Sequence, residues 1–241
     1  MCAFFLSRSP HTATLLLIII MDSQFAFVGS DFVVVVADTT SVQQIIVQKS
    51  DEDKIVQLDA HKVLALSGPK GDVSNFGEFV KCNLNLYRLK NGRALTTSAA
   101  AHWTRNELAK ALRSGPYQVN GLFAGYDDHS GPELYFLDYL ATMHKVNSSG
   151  HGYGGMFSLS LFDKHWVPNM SRAQSLELVK KCVAEIQERL VVAPEKFLIK
   201  IVSAKGVEQM TMVTATGAIS NGPPSDAAQK EGVQQDVEMK V

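Results

Sequence analysis

The sequence predicts an α+β protein in which helices are layered on packed antiparallel sheets. Three observations support this class: short apolar runs rich in β-branched residues are joined by turn formers, amphipathic helical patterns occur in pairs, and strands alternate with these pairs along the chain. With 241 residues, of which 46% are hydrophobic, the chain can bury about 70% of its unfolded surface. One domain therefore accounts for the pattern.

Two strands joined by a hairpin turn are predicted at the start of this domain, over residues 25–28 and 32–37. The second run has no polar face, so this strand should be buried on both sides. It ends on Asp38, and a carboxylate at the edge of a core needs a partner because an unpaired buried charge is costly. Lys54, which follows sixteen residues later and stands just before the next predicted strand, is the candidate.

The remaining strands and helices follow from the same patterns. Further strands are predicted at 42–48, 55–58, 63–67, 118–126, 133–140, 196–203 and 207–213. Helices are predicted from a cap at Asp72 to a stop at Asn91-Gly92, over about 98–114, over 156–163 after a glycine-rich turn at 151–155, and from Ser171, which can form a capping box with Gln174.

The two ends of the chain fall outside the predicted domain, which spans residues 22–215. Residues 13–20 are apolar but too few to cross a membrane, which takes about 20, and no small-x-small cleavage motif follows them. Residues 1–21 are therefore expected to be an N-terminal extension outside the fold, arising from an upstream start codon or as a propeptide-like segment; an export signal is the third alternative. Residues 216–241 are expected to be a flexible tail, because they carry too little apolar surface to order themselves.

Charge and cysteine usage narrow the classes of function. Lys and Arg total 23 against 24 Asp and Glu. The chain therefore has no strong positive electrostatic field that would favour binding to nucleic acid or to an anionic membrane surface. The three cysteines are odd in number and far apart, which favours a reducing compartment over a disulfide framework. The glycine-rich segment 68–71 lacks the spacing of a phosphate-binding loop, and neither an HExxH nor a Gly-x-Ser-x-Gly motif occurs. We therefore predict no cofactor and no metal site.

The arrangement of the first strands, Asp38 and Lys54 resembles the start of the beta subunits of the proteasome, members of the N-terminal-nucleophile hydrolase superfamily. This resemblance covers roughly residues 24–213 and implies a four-layer αββα sandwich, with two antiparallel sheets between helix layers. In active members a threonine is freed by self-cleavage after a glycine; its hydroxyl attacks the peptide carbonyl, and its own α-amine takes the proton.

Three residues match the surroundings of the family's catalytic centre. Asp38 and Lys54 match its conserved aspartate and lysine, and the charge of the lysine would favour a neutral terminal amine. Gly68 matches the glycine whose backbone N–H serves the oxyanion, although a tight turn before a helix explains a glycine equally well. We expect Asp38 and Lys54 to form a structural ion pair, with a residual role at the site as the alternative.

The positions that would perform catalysis carry unsuitable residues. In the same register the nucleophile position falls on Asp22 and the preceding glycine position on Met21. Tyr153, Leu190 and Ala193 stand where active subunits carry a serine, an aspartate and a second serine. Losing a nucleophile alone costs roughly 10^4- to 10^6-fold in rate, so no catalytic residue is assigned.

Segments in the middle of the chain resemble the non-catalytic class that occupies the fourth position of the beta ring. They are Asn91-Gly92, Ala124-Gly125-Tyr126-Asp127, Asp138-Tyr139-Leu140-Ala141 and His151-Gly152-Tyr153-Gly154. The resemblance implies a structural subunit of the 20S core particle, which encloses the chamber for ATP- and ubiquitin-dependent protein degradation. The implied partners are other beta subunits in the same and the facing ring, alpha-ring subunits and assembly chaperones, in cytoplasm and nucleus, with no nucleic acid and no membrane.

Two other functions stay open at this point. The chain could be an active peptidase of the same superfamily that cleaves itself before Ser23 and uses the serine hydroxyl, although the glycine that should precede the cut is missing. It could also be a secreted or membrane-associated binding protein, an alternative that depends entirely on residues 13–20.

Overall fold

The computed structural model describes residues 22–43, 46–190 and 192–222. The N-terminal extension predicted over 1–21, with the alternatives that depend on it, lies outside these residues, and so does the part of the predicted tail from 223 to 241. Within the described ranges, no helix combines the length and the hydropathy that crossing a bilayer requires.

Strands and helices alternate in the described part of the chain much as the sequence predicts. The strands are β1 (Gln24–Val28), β2 (Phe32–Asp38), β3 (Ser41–Gln43), β4 (Ile46–Lys49), β5 (Ile55–Gln57), β6 (Lys62–Ser67), β7 (Asn120–Asp127), β8 (Gly131–Leu137), β9 (Met143–Lys145), β10 (Ser148–His151), β11 (Lys196–Ser203), β12 (Gly206–Val213) and β13 (Ala218–Asn221). The helices are α1 (Lys70–Asn91), α2 (Thr97–Ala111), α3 (Gly152–His165) and α4 (Arg172–Arg189).

The strands form two antiparallel sheets and a separate hairpin. The first sheet has the order β10-β1-β2-β11-β12-β13, the second has the order β5-β6-β7-β8-β9, and β3 pairs with β4. Strand β2 is central in the first sheet, between β1 and β11. The residues that follow its last residue, Asp38, therefore leave from the middle of the sheet.

Every residue of β2 is buried, as predicted. Alternate side chains of a strand point to opposite faces, and the two faces of β2 contact different layers. Val33, Val35 and Ala37 pack between the two sheets, whereas Phe32, Val34 and Val36 pack against the helices that cover the first sheet. A strand covered on both faces needs no polar residues, which explains the continuous apolar run.

The helices cover the outer faces of the two sheets in pairs. Phe162 of α3 packs against Phe25 and Phe27 of β1, with ring centroids 6.0 and 5.5 Å apart, and α4 contributes to the same core. On the other side of the molecule, Phe76 of α1 packs in one cluster with Phe123 of β7 and residues of α2. The layers therefore run helix, sheet, sheet, helix, and the predicted α+β class with a four-layer αββα sandwich is confirmed.

The first helix starts earlier than predicted. Helix α1 begins at Lys70, directly after Pro69, and Asp72 does not cap it. Instead, the Oδ2 atom of Asp72 accepts a hydrogen bond from the backbone N–H of Gln118 at 3.0 Å. The carboxylate thus joins the first turn of the helix to the segment before β7. The capping box predicted for α4, between Ser171 and Gln174, is confirmed.

The glycines of the predicted turn at 151–155 serve close packing. Helix α3 begins at Gly152, so Gly155 lies in its first turn. A Cβ atom on Gly155 would lie 2.5 Å from the carbonyl carbon of Gly150 and 3.0 Å from the carbonyl oxygen of Gln24. Because both neighbours are backbone atoms, only a glycine allows α3 to lie this close to β1 and β10.

Short strands are the elements that the sequence prediction misses. Strands β9 and β10 were not expected, and the predicted strand at 42–48 is divided between β3 and β4. The prediction of a flexible tail from residue 216 is wrong for β13, which pairs with β12. These strands are held by backbone hydrogen bonds to a neighbouring strand, so they need no long apolar run of their own.

Candidate functional site

A cleft with a cavity of about 290 Å³ opens beside the carboxyl end of β2. Its floor is charged and consists of Asp22, Asp38 and Lys54. Its apolar wall consists of Val47, Leu66, Val73, Val192, Ala193 and Pro194. The cleft therefore combines an ionic surface with an aliphatic one, and Asp22, Asp38, Lys54 and Gly68, four of the residues singled out from the sequence, come together there.

The ammonium group of Lys54 is enclosed by oxygen atoms. It donates to Oδ1 of Asp22 at 2.7 Å, to Oδ1 and Oδ2 of Asp38 at 3.0 and 2.9 Å, and to the carbonyl oxygen of Thr40 at 2.8 Å. The side chain of Lys54 is only 8% exposed. A buried ammonium needs such partners, because the loss of hydration is otherwise not compensated. The predicted pair between Asp38 and Lys54 is confirmed.

The fold brings these residues together by ordinary backbone pairing. Asp38 is the last residue of the buried strand β2, and Lys54 directly precedes β5, where its carbonyl oxygen accepts from the N–H of Leu66 at 3.1 Å. The N–H of Glu52 donates to the carbonyl oxygen of Thr39 at 2.9 Å. The segment after β2 and the segment before β5 are thereby joined across the two sheets.

Asp22 adds a second carboxylate to the floor of the cleft. Its Oδ1 accepts from Lys54, and its Oδ2 accepts from the backbone N–H of Gly68 at 3.3 Å. Gly68 has a φ of 144°, and a Cβ atom there would lie 2.3 Å from the carbonyl oxygen of Gln118. Glycine is thus required by the local packing, whatever its N–H binds. The structure places Asp22, at the predicted nucleophile position, next to Gly68, at the predicted oxyanion position.

The charges on the floor shift each other's protonation. Burial alone would lower the pKa of Lys54, but the carboxylates of Asp38 and Asp22 outweigh it and raise this pKa well above its ordinary value. Burial raises the pKa of Asp38 to about 6; the charge of Asp22 adds to this rise, and Lys54 opposes it. Two carboxylates share one ammonium, so a proton taken up by Asp38 neutralises the cluster. Lys54 stays charged at every physiological pH and cannot act as a base.

The family of the chain follows from comparison with known proteins. Residues 22–202 match the family model described as "Proteasome subunit". The chain belongs to the proteasome subunit family. Its resemblance to that family, noted above from the first strands and the Asp38–Lys54 pair, is confirmed over most of its length.

Relatives place this proteasome subunit in the beta ring. It is 53% identical over 186 residues to proteasome subunit beta type-2-A of Arabidopsis thaliana, covering 77% of this chain and 91% of that protein. It is 48% identical over 207 residues to proteasome subunit beta type-2 of Oryza sativa subsp. japonica, covering 86% and 96%. The corresponding protein of Dictyostelium discoideum is 38% identical over 191 residues, covering 78% and 96%. The chain is therefore a beta subunit of type-2 character and part of a protease complex that is assembled from proteasome subunits.

Ser23, the nucleophile of the alternative peptidase hypothesis, does not line the cleft of this proteasome subunit. It is fully buried, and its backbone N–H donates to Oδ1 of Asp38 at 3.0 Å. Its hydroxyl has no hydrogen-bond partner among the described residues. A Cβ atom on Gly154 would lie 2.4 Å from this hydroxyl oxygen, so the side chain of Ser23 faces helix α3. A peptide in the cleft could not reach it without a rearrangement of the first strand.

The three remaining positions matched to catalytic residues are not brought together. Tyr153 lies exposed in the first turn of α3, outside the cleft lining. Leu190 follows the end of α4 and packs against the helix-side core, and only Ala193 lines the cleft.

Burial raises the pKa of the Cys182 thiol to about 12, which excludes a thiolate nucleophile at that position.

Several polar groups of the cleft were not found from the sequence. Ser41 is buried, lines the cleft and has a hydroxyl without a partner among the described residues. Lys70 donates to Glu52 at the mouth of the cleft, and Glu195 lies in the segment after α4 that borders it. These residues belong to no motif, and only the folded arrangement of their loops reveals that they share one cavity. Within the described residues no group of three or more His, Cys, Asp or Glu side chains is placed to bind a metal ion.

Proposed function

We propose that this chain is a non-catalytic member of the beta ring, which fills one position and helps to enclose the degradation chamber. The observation that carries this proposal is the position of Asp22. Its carboxylate accepts from both the ammonium of Lys54 and the N–H of Gly68. In an active subunit these two donors would serve the terminal nucleophile and the oxyanion, respectively.

Asp22 also lacks the chemistry that this site requires. It offers neither a hydroxyl nor a thiol, and in the sequence its nitrogen is joined to Met21 in a peptide bond, so it cannot accept a proton as a free amine would. A catalytic centre without its nucleophile loses roughly 10^4- to 10^6-fold in rate. Asp38 and Lys54 alone therefore cannot sustain turnover, and the better account of the pair is structural.

The structural role of the ion pair is to join segments that the sheets leave apart. Lys54 binds the end of β2 through Asp38, the following loop through Thr40, and the start of the domain through Asp22. Each contact is largely shielded from solvent, so its electrostatic energy exceeds that of a surface pair. The cluster holds these three segments together and needs no catalytic reaction in the cleft to do so.

The proposed role also implies which partners the chain binds and in which compartment it acts. We infer contacts with beta subunits of the same and the facing ring, with alpha-ring subunits, and with assembly chaperones before the particle is complete. The exposed apolar residues on both helix layers support this: Leu86 and Leu89 on α1, and Tyr153 and Met156 on α3. Free cysteines at 82 and 182 fit a reducing compartment, consistent with ubiquitin-dependent degradation in cytoplasm and nucleus.

The test uses the assembled particle and a probe that reacts with terminal nucleophiles. Purified particles are treated with an epoxyketone or a β-lactone, and each chain is then weighed by mass spectrometry. We expect no adduct on this chain, while the catalytic beta chains of the same particle are labelled and serve as an internal control. An adduct on its first residue, or a mature chain that starts at Ser23, would refute the proposal in favour of an active peptidase.

A further inference from the structure

Asparagine precedes glycine at three places in the chain, and the fold holds the three pairs differently. They are Asn91-Gly92, Asn120-Gly121 and Asn221-Gly222. An asparagine before glycine can lose its side-chain amide without an enzyme, because the glycine nitrogen can attack the side-chain carbonyl carbon and no Cβ atom hinders the approach. The attack needs a glycine N–H that is free of hydrogen bonds, space for the ring that forms, and water to open this ring.

The pair at the end of α1 meets these conditions. Helices α2, α3 and α4 are each followed by a backbone N–H that donates to the carbonyl oxygen four residues earlier, at 3.1, 2.9 and 3.0 Å. Among the described residues, no such bond holds the N–H of Gly92, which follows α1. Gly92 has a φ of 69°, and a Cβ atom there would have no neighbour within 4 Å. Both residues of the pair are exposed, so water reaches them.

The side chain of Asn91 has a local contact that solvent can replace. Its Nδ2 atom donates to the carbonyl oxygen of Tyr87, one turn earlier, at 2.9 Å. This bond is exposed and lies in the last turn of the helix, where helices fray. When the bond opens, the side chain of Asn91 can turn its carbonyl carbon towards the nitrogen of Gly92.

The other two pairs are held by strand pairing. Gly121 is buried in β7, where it pairs with Leu66 and Leu137 on the two neighbouring strands. The N–H of Gly222 donates to the carbonyl oxygen of Gln209 at 3.1 Å. A nitrogen held in this way can attack only after its strand has opened locally.

We propose that Asn91 is a modification site at which this chain deamidates. The nitrogen of Gly92 forms a bond to Cγ of Asn91, and the side-chain amide nitrogen leaves as ammonia, taking the proton of the Gly92 N–H with it. A cyclic imide remains, and one water molecule opens it to aspartate or to isoaspartate. The reaction consumes only water and needs no oxidant, reductant or cofactor. It goes beyond the proposed function and does not depend on it.

The product changes the end of α1. A carboxylate replaces the amide group that donates to Tyr87, and a negative charge at the carboxyl end of a helix is unfavourable because the helix dipole is also negative there. Isoaspartate in addition lengthens the backbone by one methylene group. Leu86 and Leu89 are exposed in the last turns of this helix, so deamidation alters the surface that carries them.

Peptide mapping of the full-length chain tests this assignment. The folded chain is kept in mildly alkaline buffer, and mass spectrometry follows the deamidated fraction at each pair, with an isoaspartyl methyltransferase to detect isoaspartate. We expect Asn91 to deamidate at least about five-fold faster than Asn221, the factor that one backbone hydrogen bond supplies, and Asn120 to be the slowest. In the matched variant Asn91→Gln, whose longer side chain closes a ring slowly, this product should be lost while Asn221 reacts at an unchanged rate.

The same mapping in urea separates the effect of the fold from that of the local sequence. All three asparagines precede glycine, so their rates should converge once the chain is unfolded. The proposal would be overturned if Asn91 reacted no faster than Asn120 or Asn221 in the folded chain, because the helix would then protect it. Rates that kept their folded order in urea would also overturn it, since flanking residues and not the fold would decide them.

Discussion

Among the described residues, Lys54 is the cation on the floor of the cleft, where it faces two carboxylates. In Lys54→Ala, the buried Asp38 and the partly buried Asp22 would be left without a counter-charge, a change that typically costs about 3–5 kcal/mol at a buried pair. We expect the free energy of unfolding, measured with urea, to fall by this amount, and the yield of assembled particles to fall with it. Lys110→Ala is the matched control, because the pair of Lys110 with Glu107 is solvent-exposed and should contribute less than about 1 kcal/mol.

The same variant tests the structural role against a catalytic one. Particles that do contain the Lys54→Ala chain should keep every peptidase specificity, and Asp38→Ala should behave alike. If either variant assembled at normal abundance but lost one specificity, the ion pair would be part of an active centre and the proposed function would be wrong.

The raised pKa of Asp38 gives a dependence on pH with a defined sign. Below its ordinary pKa of 3.8, Asp38 is protonated in both the folded and the unfolded chain. Between that value and about 6, only the folded chain keeps the proton. The contribution of Asp38 to the free energy of unfolding should therefore decrease as the pH rises through this interval, by at most about 1.4 kcal/mol per pH unit.

The measurement compares urea unfolding of the natural chain and of Asp38→Asn at several pH values from 4 to 7. The amide does not titrate, so the difference between the two curves isolates this carboxyl from the others. The free energy of unfolding of the natural chain minus that of Asp38→Asn should fall as the pH rises to about 6, the pKa of Asp38 in the folded chain, and then level off. A rise of this signed difference with pH would mean that Lys54 lowers the pKa of Asp38 more than burial raises it.

At the scale of single residues, the pairing of Asp38 with Lys54 was predicted for two reasons. Asp38 ends an apolar run and Lys54 stands just before the next strand, and both match conserved residues of the proteasome family. The burial of Ser23 and the hydrogen bond of Asp22 to Gly68 depend on how α3 and β6 approach the first strand. Those distances arise from packing between segments that are far apart in sequence, which no local pattern encodes.

Helix α3 shows how an element can depend on the lack of a side chain. In Gly155→Ala the new Cβ would meet backbone atoms of Gly150 at 2.5 Å, and neither strand can move away without losing its pairing. We expect a loss of about 1–3 kcal/mol in the free energy of unfolding, as for other overpacked sites.

The control for this helix is a glycine with free space around it. Gly71 lies in the first turn of α1, and a Cβ atom there would have no neighbour within 4 Å. Gly71→Ala should stabilise the chain by up to about 1 kcal/mol, because alanine restricts the unfolded backbone and favours helix. Urea midpoints of the two variants that shift in the same direction would contradict the packing argument.

Elements were predicted from the sequence when they carried their own apolar pattern. Strand β2, the capping box of α4 and the hairpin of β11 and β12 agree with expectation. The start of α3 was placed at residue 156 because glycine usually ends or interrupts a helix; here close contact with β1 outweighs that preference. The edge strands depend on partners, and sequence patterns describe only the strand itself.

The whole molecule exposes apolar residues on its outer helix layers, which predicts that it does not exist alone. Met156 on α3 is 62% exposed. We expect Met156→Asp to lower the fraction of this chain that elutes in a large complex on native size-exclusion chromatography. The stability of the isolated fold should change by less than about 0.5 kcal/mol, as for other surface sites.

Ser160→Asp provides the matched control on the same helix, because Ser160 is exposed and polar. It should enter the complex as the natural chain does. If both variants entered the complex as the natural chain does, the outer face of α3 would not be an interface in the particle.

Strand β13 determines how the six-stranded sheet ends. It pairs with residues 210–213 of β12, and Gly222 closes the pairing by donating to the carbonyl oxygen of Gln209 at 3.1 Å and accepting from the hydroxyl of Thr211 at 3.0 Å. Without this strand, that part of β12 would present open N–H and C=O groups to which a foreign chain could add. A protease complex handles unfolded polypeptides continually, and the edge that β13 offers them is only four residues long, which limits the pairing that a foreign chain can make.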